Sequence, residues 1–139
     1  MQLFAKFMRA LPPPSPSNPN GPGRDIFVKL GCDLCHTPVL EGAQGVQVQL
    51  FSDLQLHDMG EGLADRITQG NAGPREFRSA PLWGVGKRLF LLHDGRAWKL
   101  ADAIQAHAST GSEANEVIKN FQDLTSEQQG ALLGFLGSL

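Results

Sequence analysis

Short runs with helical periodicity alternate along the chain with long stretches that have no period. Near the start, Leu3, Phe4, Phe7, Met8 and Leu11 recur at the spacing of one face of an amphipathic helix. Residues 12–23 then read Pro-Pro-Pro-Ser-Pro-Ser-Asn-Pro-Asn-Gly-Pro-Gly, a linker that cannot be helical. A short helix is predicted over 25–31, with Ile26, Phe27 and Leu30 on one face and Gly31 allowing a sharp turn. Thr37-Pro38 closes that segment. Residues 46–50 alternate as one short strand would. Residues 62–69 predict a short helix ended by Gly70-Asn71, and 70–95 read as a long loop wrapped around something.

Three helices are predicted to close the chain. Residues 98–108 place Leu100, Ala103, Ile104 and His107 on one face. Residues 113–121 group Ala114, Val117, Ile118 and Phe121, with Ser112 as N-cap. The last helix begins at Thr125, with Gln128 three residues on as a capping box, and runs to about 136. The pattern predicts an all-α fold with long loops and at most a short strand or hairpin. It divides into 1–23, a helix plus proline-rich linker, and 24–139, the body.

Composition narrows this further. With 139 residues, 41% apolar and 19% charged, the chain has room for one globular domain and excludes collagen, coiled coil and wholesale disorder. The net charge of −2 gives no bulk attraction for nucleic acid. No apolar run approaches the roughly 18 residues of a membrane span. Sixteen glycines and nine prolines leave a small core, so a non-protein group is expected to help fill it.

The two cysteines supply the candidate. They form no disulfide framework and cannot complete a four-ligand zinc site alone. Cys32-Asp33-Leu34-Cys35-His36 is C-x-x-C-H, the attachment motif of c-type haem. Two thiols at this spacing add to the two vinyl groups of one haem, and the adjoining His36 reaches the iron as the proximal ligand. One covalent haem c is therefore expected, in a cytochrome c-like domain. Such haem is attached outside the cytoplasm, in bacteria on the periplasmic side. The first residues show no secretory h-region, so a mature portion or an excised domain is expected.

The sixth iron position decides between electron transfer and open-site chemistry. Met8, His57, Met59, His93 and His107 are the candidates. Met8 precedes the linker, and His57 and Met59 lie in a polar loop. His107 sits on an apolar helix face, where a lone histidine is ordinarily a core residue bonded to backbone. A haem-sized core favours it as a ligand instead.

The chain from the linker onward resembles the C-terminal domain of the di-haem cytochrome c peroxidase-like superfamily, in the branch of thiol or di-haem oxidoreductases. The runs that carry this are Phe27…Gly31-Cys32-Asp33-Leu34-Cys35-His36-Thr37-Pro38, residues 51–60 with Leu63-Ala64-Asp65, residues 76–84, and Phe90-Leu91-Leu92-His93-Asp94-Gly95-Arg96-Ala97. Ala103-Ile104 and the tail to Leu139 also match, and Phe7-Met8-Arg9 with its prolines resembles the stretch joining that branch's two domains. The resemblance implies a distal ligand 14 residues past the His of the His-Asp-Gly motif, which from His93 is His107. Relatives place Met or Tyr there; here the pair would be bis-histidine, with Met59 as the alternative. It implies that His93 neighbours the haem and orients a loop or bonds a propionate, and Arg96, with Arg75 and Arg78, is a candidate propionate partner. Asp58 and Asp94 either orient imidazoles or cap turns. Full members carry a second, upstream haem domain, whereas one C-x-x-C-H is present here.

The expected function is therefore electron transfer by a mono-haem c-type domain, the alternative being haem peroxidase or oxidoreductase activity together with a second haem domain. The expected partner is a redox protein or that second domain, with no nucleic acid and no membrane span. Charge is uneven: residues 75–99 carry six basic and two acidic side chains, and 40–66 five acidic and one basic. This reads as solvated faces or as a docking rim. Trp83 and Trp98 are expected to pack in the core or against the haem edge.

Overall fold

A computed structural model describes residues 2–11, 17 and 20–139. It contains helices α1 (Gln2–Ala10), α2 (Pro22–Leu30), α3 (Gly60–Leu63), α4 (Leu100–Ala106), α5 (Asn115–Gln122) and α6 (Ser126–Ser138). Among the described residues there are also strands β1 (Leu40–Glu41), β2 (Gln47–Val48), β3 (Leu56–Asp58) and β4 (Glu76–Arg78). The fold is thus helical but not all-α. It has two antiparallel two-stranded ladders, β1–β2 and β3–β4, where at most one was expected. The second was hidden because its strands are far apart in sequence, with Leu56 opposite Arg78, His57 opposite Phe77 and Asp58 opposite Glu76.

The core lies where α2 and α6 cross. Phe27, Phe51 and Phe135 meet edge to face, with ring centroids 5.6–6.1 Å apart. Phe121 and Leu132 are buried beside them. Leu100, Ala103 and Ile104 of α4 pack onto this cluster, as does Cys32. These contacts follow the predicted apolar faces of α2, α4, α5 and α6.

Helix boundaries shifted for local reasons. Pro22 and Gly23, expected in the linker, open α2. Proline is well placed in a first helical turn, where its missing N–H costs nothing, and Gly23 is buried against α6. Most of the proline run, 12–16 and 18–19, lies outside the described residues. The helix expected over 62–69 stops at Leu63. Arg66 there takes a positive φ of 64°, and Asp65 Oδ1 instead accepts a hydrogen bond from Ile67 N–H. The capping box at Thr125 and Gln128 is present as expected. Ser112 does not cap α5, which starts at Asn115 after Ala114. Helix α1 buries none of its residues. No helix among the described residues is long and apolar enough to cross a membrane.

Candidate haem site

Helix α2 ends at Gly31, whose φ of 93° turns the chain directly into a 3₁₀ turn, Cys32–Leu34. Only a residue without Cβ enters that conformation freely. Both cysteines are free thiols and half-buried. Burial, reinforced by the Asp33 charge, pushes the Cys32 thiol up to about 11. Burial and then the Asp53 and Glu113 charges raise Cys35.

His36 and His107 share one arrangement. His36 Nδ1 lies 3.1 Å from the Phe51 carbonyl oxygen, and His107 Nδ1 lies 2.6 Å from the Ala103 carbonyl oxygen. A carbonyl only accepts, so Nδ1 carries the hydrogen in each ring. In a neutral imidazole the lone pair is then on Nε2. Burial holds both rings neutral: it depresses His36 against the raising effect of the Phe51 carbonyl, with His107 depressing it further. Burial likewise depresses His107 against the Ala103 carbonyl. His107 is the C-cap of α4 rather than an interior helical residue.

One segment, 51–62, ties both histidine loops together. Phe51, Ser52 and Asp53 donate backbone N–H bonds to the carbonyls of Pro38, Thr37 and Cys35 at 2.9–3.3 Å. Further along, Glu113 N–H donates to Asp58 O at 2.9 Å and Glu61 N–H to Thr110 O at 3.0 Å. Ser109 Oγ donates to Met59 O at 3.1 Å, and Ser112 Oγ to His107 O at 2.6 Å. Phe51 and Leu54 both adopt positive φ, 53° and 61°. Fully buried Ser52 braces that turn through Ser79 Oγ at 2.7 Å and the Leu54 N–H at 2.9 Å.

The other anticipated residues fall elsewhere. Met59 is half-buried at the entry to α3. His93 is exposed and stacks on Phe77, with centroids 4.3 Å apart. Arg96 bonds Asp94 at 2.5 Å and the Gly62 carbonyl at 2.7 Å. Arg75 bridges Asp58 at 2.6 Å and Glu61 at 3.0 Å. Asp58 and Asp94 do act as turn caps, accepting from Gly60 and Arg96 N–H. Trp98 is 73% exposed and edge-on to Phe90, which puts it outside the protein core and leaves the haem edge as the expected packing partner. Trp83 donates its indole N–H to the Gln49 carbonyl.

Sequence reasoning missed the environment of His57. Its Nδ1 lies 3.0 Å from Glu113 Oε2 and its Nε2 3.0 Å from Asp53 Oδ2. Burial alone would lower this histidine, but the two carboxylates outweigh it and raise it. The Asp58 N–H and then His57 hold Glu113 below the usual carboxylate range. With both nitrogens committed to acceptors, His57 has no lone pair for a metal. Asp53 and Glu113 are 60 residues apart, and only the tertiary fold brings them to one ring.

The donor set fits a haem. His36 and His107 are neutral imidazoles that would be able to hold iron, and Cys32 and Cys35 are thiols next to one of them that would be able to hold a porphyrin edge. A family model described as "Di-haem oxidoreductase, putative peroxidase" matches residues 18–139. No curated protein matches the chain, and no solved structure does.

Proposed function

Because the chain belongs to the di-haem oxidoreductase family, whose members bind haem, we propose that it is the family's electron-transfer half. In this reading Cys32 and Cys35 hold one covalent haem c, and His36 and His107 supply its axial ligands. The observation that carries it is the matched pair of imidazoles, each neutral and each with Nδ1 committed to a backbone carbonyl. A haem bound here supplies a one-electron couple between ferric and ferrous iron.

The chain's own groups do the rest. The Phe51 and Ala103 carbonyls fix the tautomer and orientation of both rings, a role that second partners of ligating histidines commonly have. Neither ring needs to gain or lose a proton. The apolar cluster of α2, α4 and α6 excludes water on the Cys32 side. His93 and Arg96 would be the groups that meet the propionates. In this reading the protein works outside the cytoplasm, in bacteria in the periplasm, with a redox protein or a second haem domain as partner.

The family description favours a second reading, peroxidase or oxidoreductase chemistry carried out with a second haem domain. It needs an open or displaceable sixth position, for which Met59 is the candidate ligand in place of His107.

Absorption spectra of the wild type, His107→Ala and Met59→Ala separate the two. Electron transfer with bis-histidine ligation gives a low-spin wild type that neither cyanide nor peroxide changes, and His107→Ala turns high-spin. A high-spin ferric wild type refutes this reading. If only Met59→Ala turns high-spin, the second reading holds.

A further inference from the structure

Beside Cys35 stands a charged group that the axial pair does not use. His57 Nδ1 lies 3.4 Å from Cys35 Sγ and 3.0 Å from Glu113 Oε2, and Nε2 lies 3.0 Å from Asp53 Oδ2. Carboxylates only accept, so a ring that bridges two of them carries hydrogen on both nitrogens and is a cation. The His57 and Asp53 side chains are only 15% and 11% exposed, so solvent screens that pair poorly, whereas Glu113 is half in solvent. Asp53 is fixed from its other oxygen by Ser79 Oγ at 2.6 Å and Gln55 N–H at 2.9 Å. Glu113 is fixed by Asp58 N–H at 3.1 Å.

Cys35 Sγ is the atom that would join this chain to the porphyrin edge. Charges packed against it would act on the iron couple of a haem bound there over a short path. Negative charge there favours the ferric state and lowers the potential, whereas a cation raises it. We propose that His57 raises the potential of the bound haem, standing as a cation between Asp53 and Glu113 against the Cys35 sulfur. It acts through Cys35 and through its field, which makes it a positioning residue. The inference rests on the reading of Cys32 and Cys35 as haem attachment sites.

The test is a spectroelectrochemical titration of the full haem-bearing chain at neutral pH and fixed ionic strength. His57→Gln removes the cation and keeps a polar side chain of similar length, so the midpoint falls. Glu113→Gln and Asp53→Asn each remove one negative charge, so the midpoint rises. His57→Arg restores the charge and returns the midpoint toward the wild-type value. A purely structural role would loosen the site in all three neutral variants and move them in one direction. Glu113 is 54% exposed, so its variant keeps the test decisive even where Asp53→Asn fails to fold. Shifts of the same sign in His57→Gln and Glu113→Gln, or no shift in either, overturn this inference alone. A chain without haem-specific staining on a denaturing gel overturns the proposed function and this inference with it.

Discussion

The contact between α2 and α6 sets how the Cys32–His36 loop is presented, and Gly23 is where it can be tested. Gly23 is buried in the first turn of α2. A Cβ built there would overlap the Ala131 carbonyl oxygen, and would lie 2.6 Å from Phe135 Cβ and 2.8 Å from the Ala131 carbonyl carbon. Two of those three atoms are backbone, so the helices must separate for alanine to fit. Overpacking of this kind costs about 1–3 kcal/mol. Opposing it is the better helix propensity of alanine, at most about 1 kcal/mol in a helix interior and less in a first turn. The clash wins, and Gly23→Ala is expected to destabilise by about 1–2 kcal/mol. Gly130 in α6 is the control: it is exposed, and a Cβ there meets nothing within 4 Å. Gly130→Ala should stabilise by roughly 0.5–1 kcal/mol, because only the backbone entropy changes. Urea unfolding of the haem-bearing chain, followed by far-ultraviolet circular dichroism, measures both. If Gly23→Ala is as stable as Gly130→Ala, α2 and α6 do not approach this closely, and the placement of the cysteine loop falls with that contact.

Ser52→Ala removes a fully buried hydroxyl that donates to the Ser79 carbonyl, while Leu54 N–H and Ser79 Oγ keep each other and Asp53 as partners, so a loss of about 1–3 kcal/mol from the unpaired carbonyl is expected in the same unfolding assay. A variant within 0.5 kcal/mol of wild type, the scale of a neutral surface change, would show that the turn stands without its brace. Asp53→Asn should lose stability in a pH-dependent way. Burial would raise this carboxyl, but hydrogen bonds from Ser79, Gln55 N–H and His57 hold it below its ordinary value of 3.8. The stability it contributes is therefore fully present above pH 3.8 and lost as pH falls through the lower folded value. Urea midpoints of wild type and Asp53→Asn should converge on acidification, and a gap that stays constant contradicts that assignment.

Local chemistry made part of this structure readable. The thiol spacing of Cys32 and Cys35, the capping box at Thr125 and Gln128, and the apolar faces of α4, α5 and α6 all depend on residues within a few positions of each other. What escaped depends on distance along the chain. The β3–β4 ladder joins Leu56 to Arg78, and no periodicity marks a three-residue strand whose partner lies across a long loop. The positive φ at Phe51, Leu54 and Arg66 carries no glycine to announce it. His57 read as a possible ligand because one of its two carboxylates, Glu113, lies 56 residues further along the chain. For His107 the sequence indicated a helix face but not the carbonyl that orients the ring.

Segment 51–62 holds the His36 loop with one end and the loop after His107 with the other. In thermodynamic terms, the two loops share a single binding partner. An event that releases residues 109–113 from this segment lowers the free energy needed to release Phe51 from Pro38, and the reverse follows by reciprocity. On the proposed reading of His36 and His107 as the two iron ligands, loss of one would therefore make the other easier to lose. The haem would respond to denaturant as one cooperative unit rather than shedding its ligands one at a time.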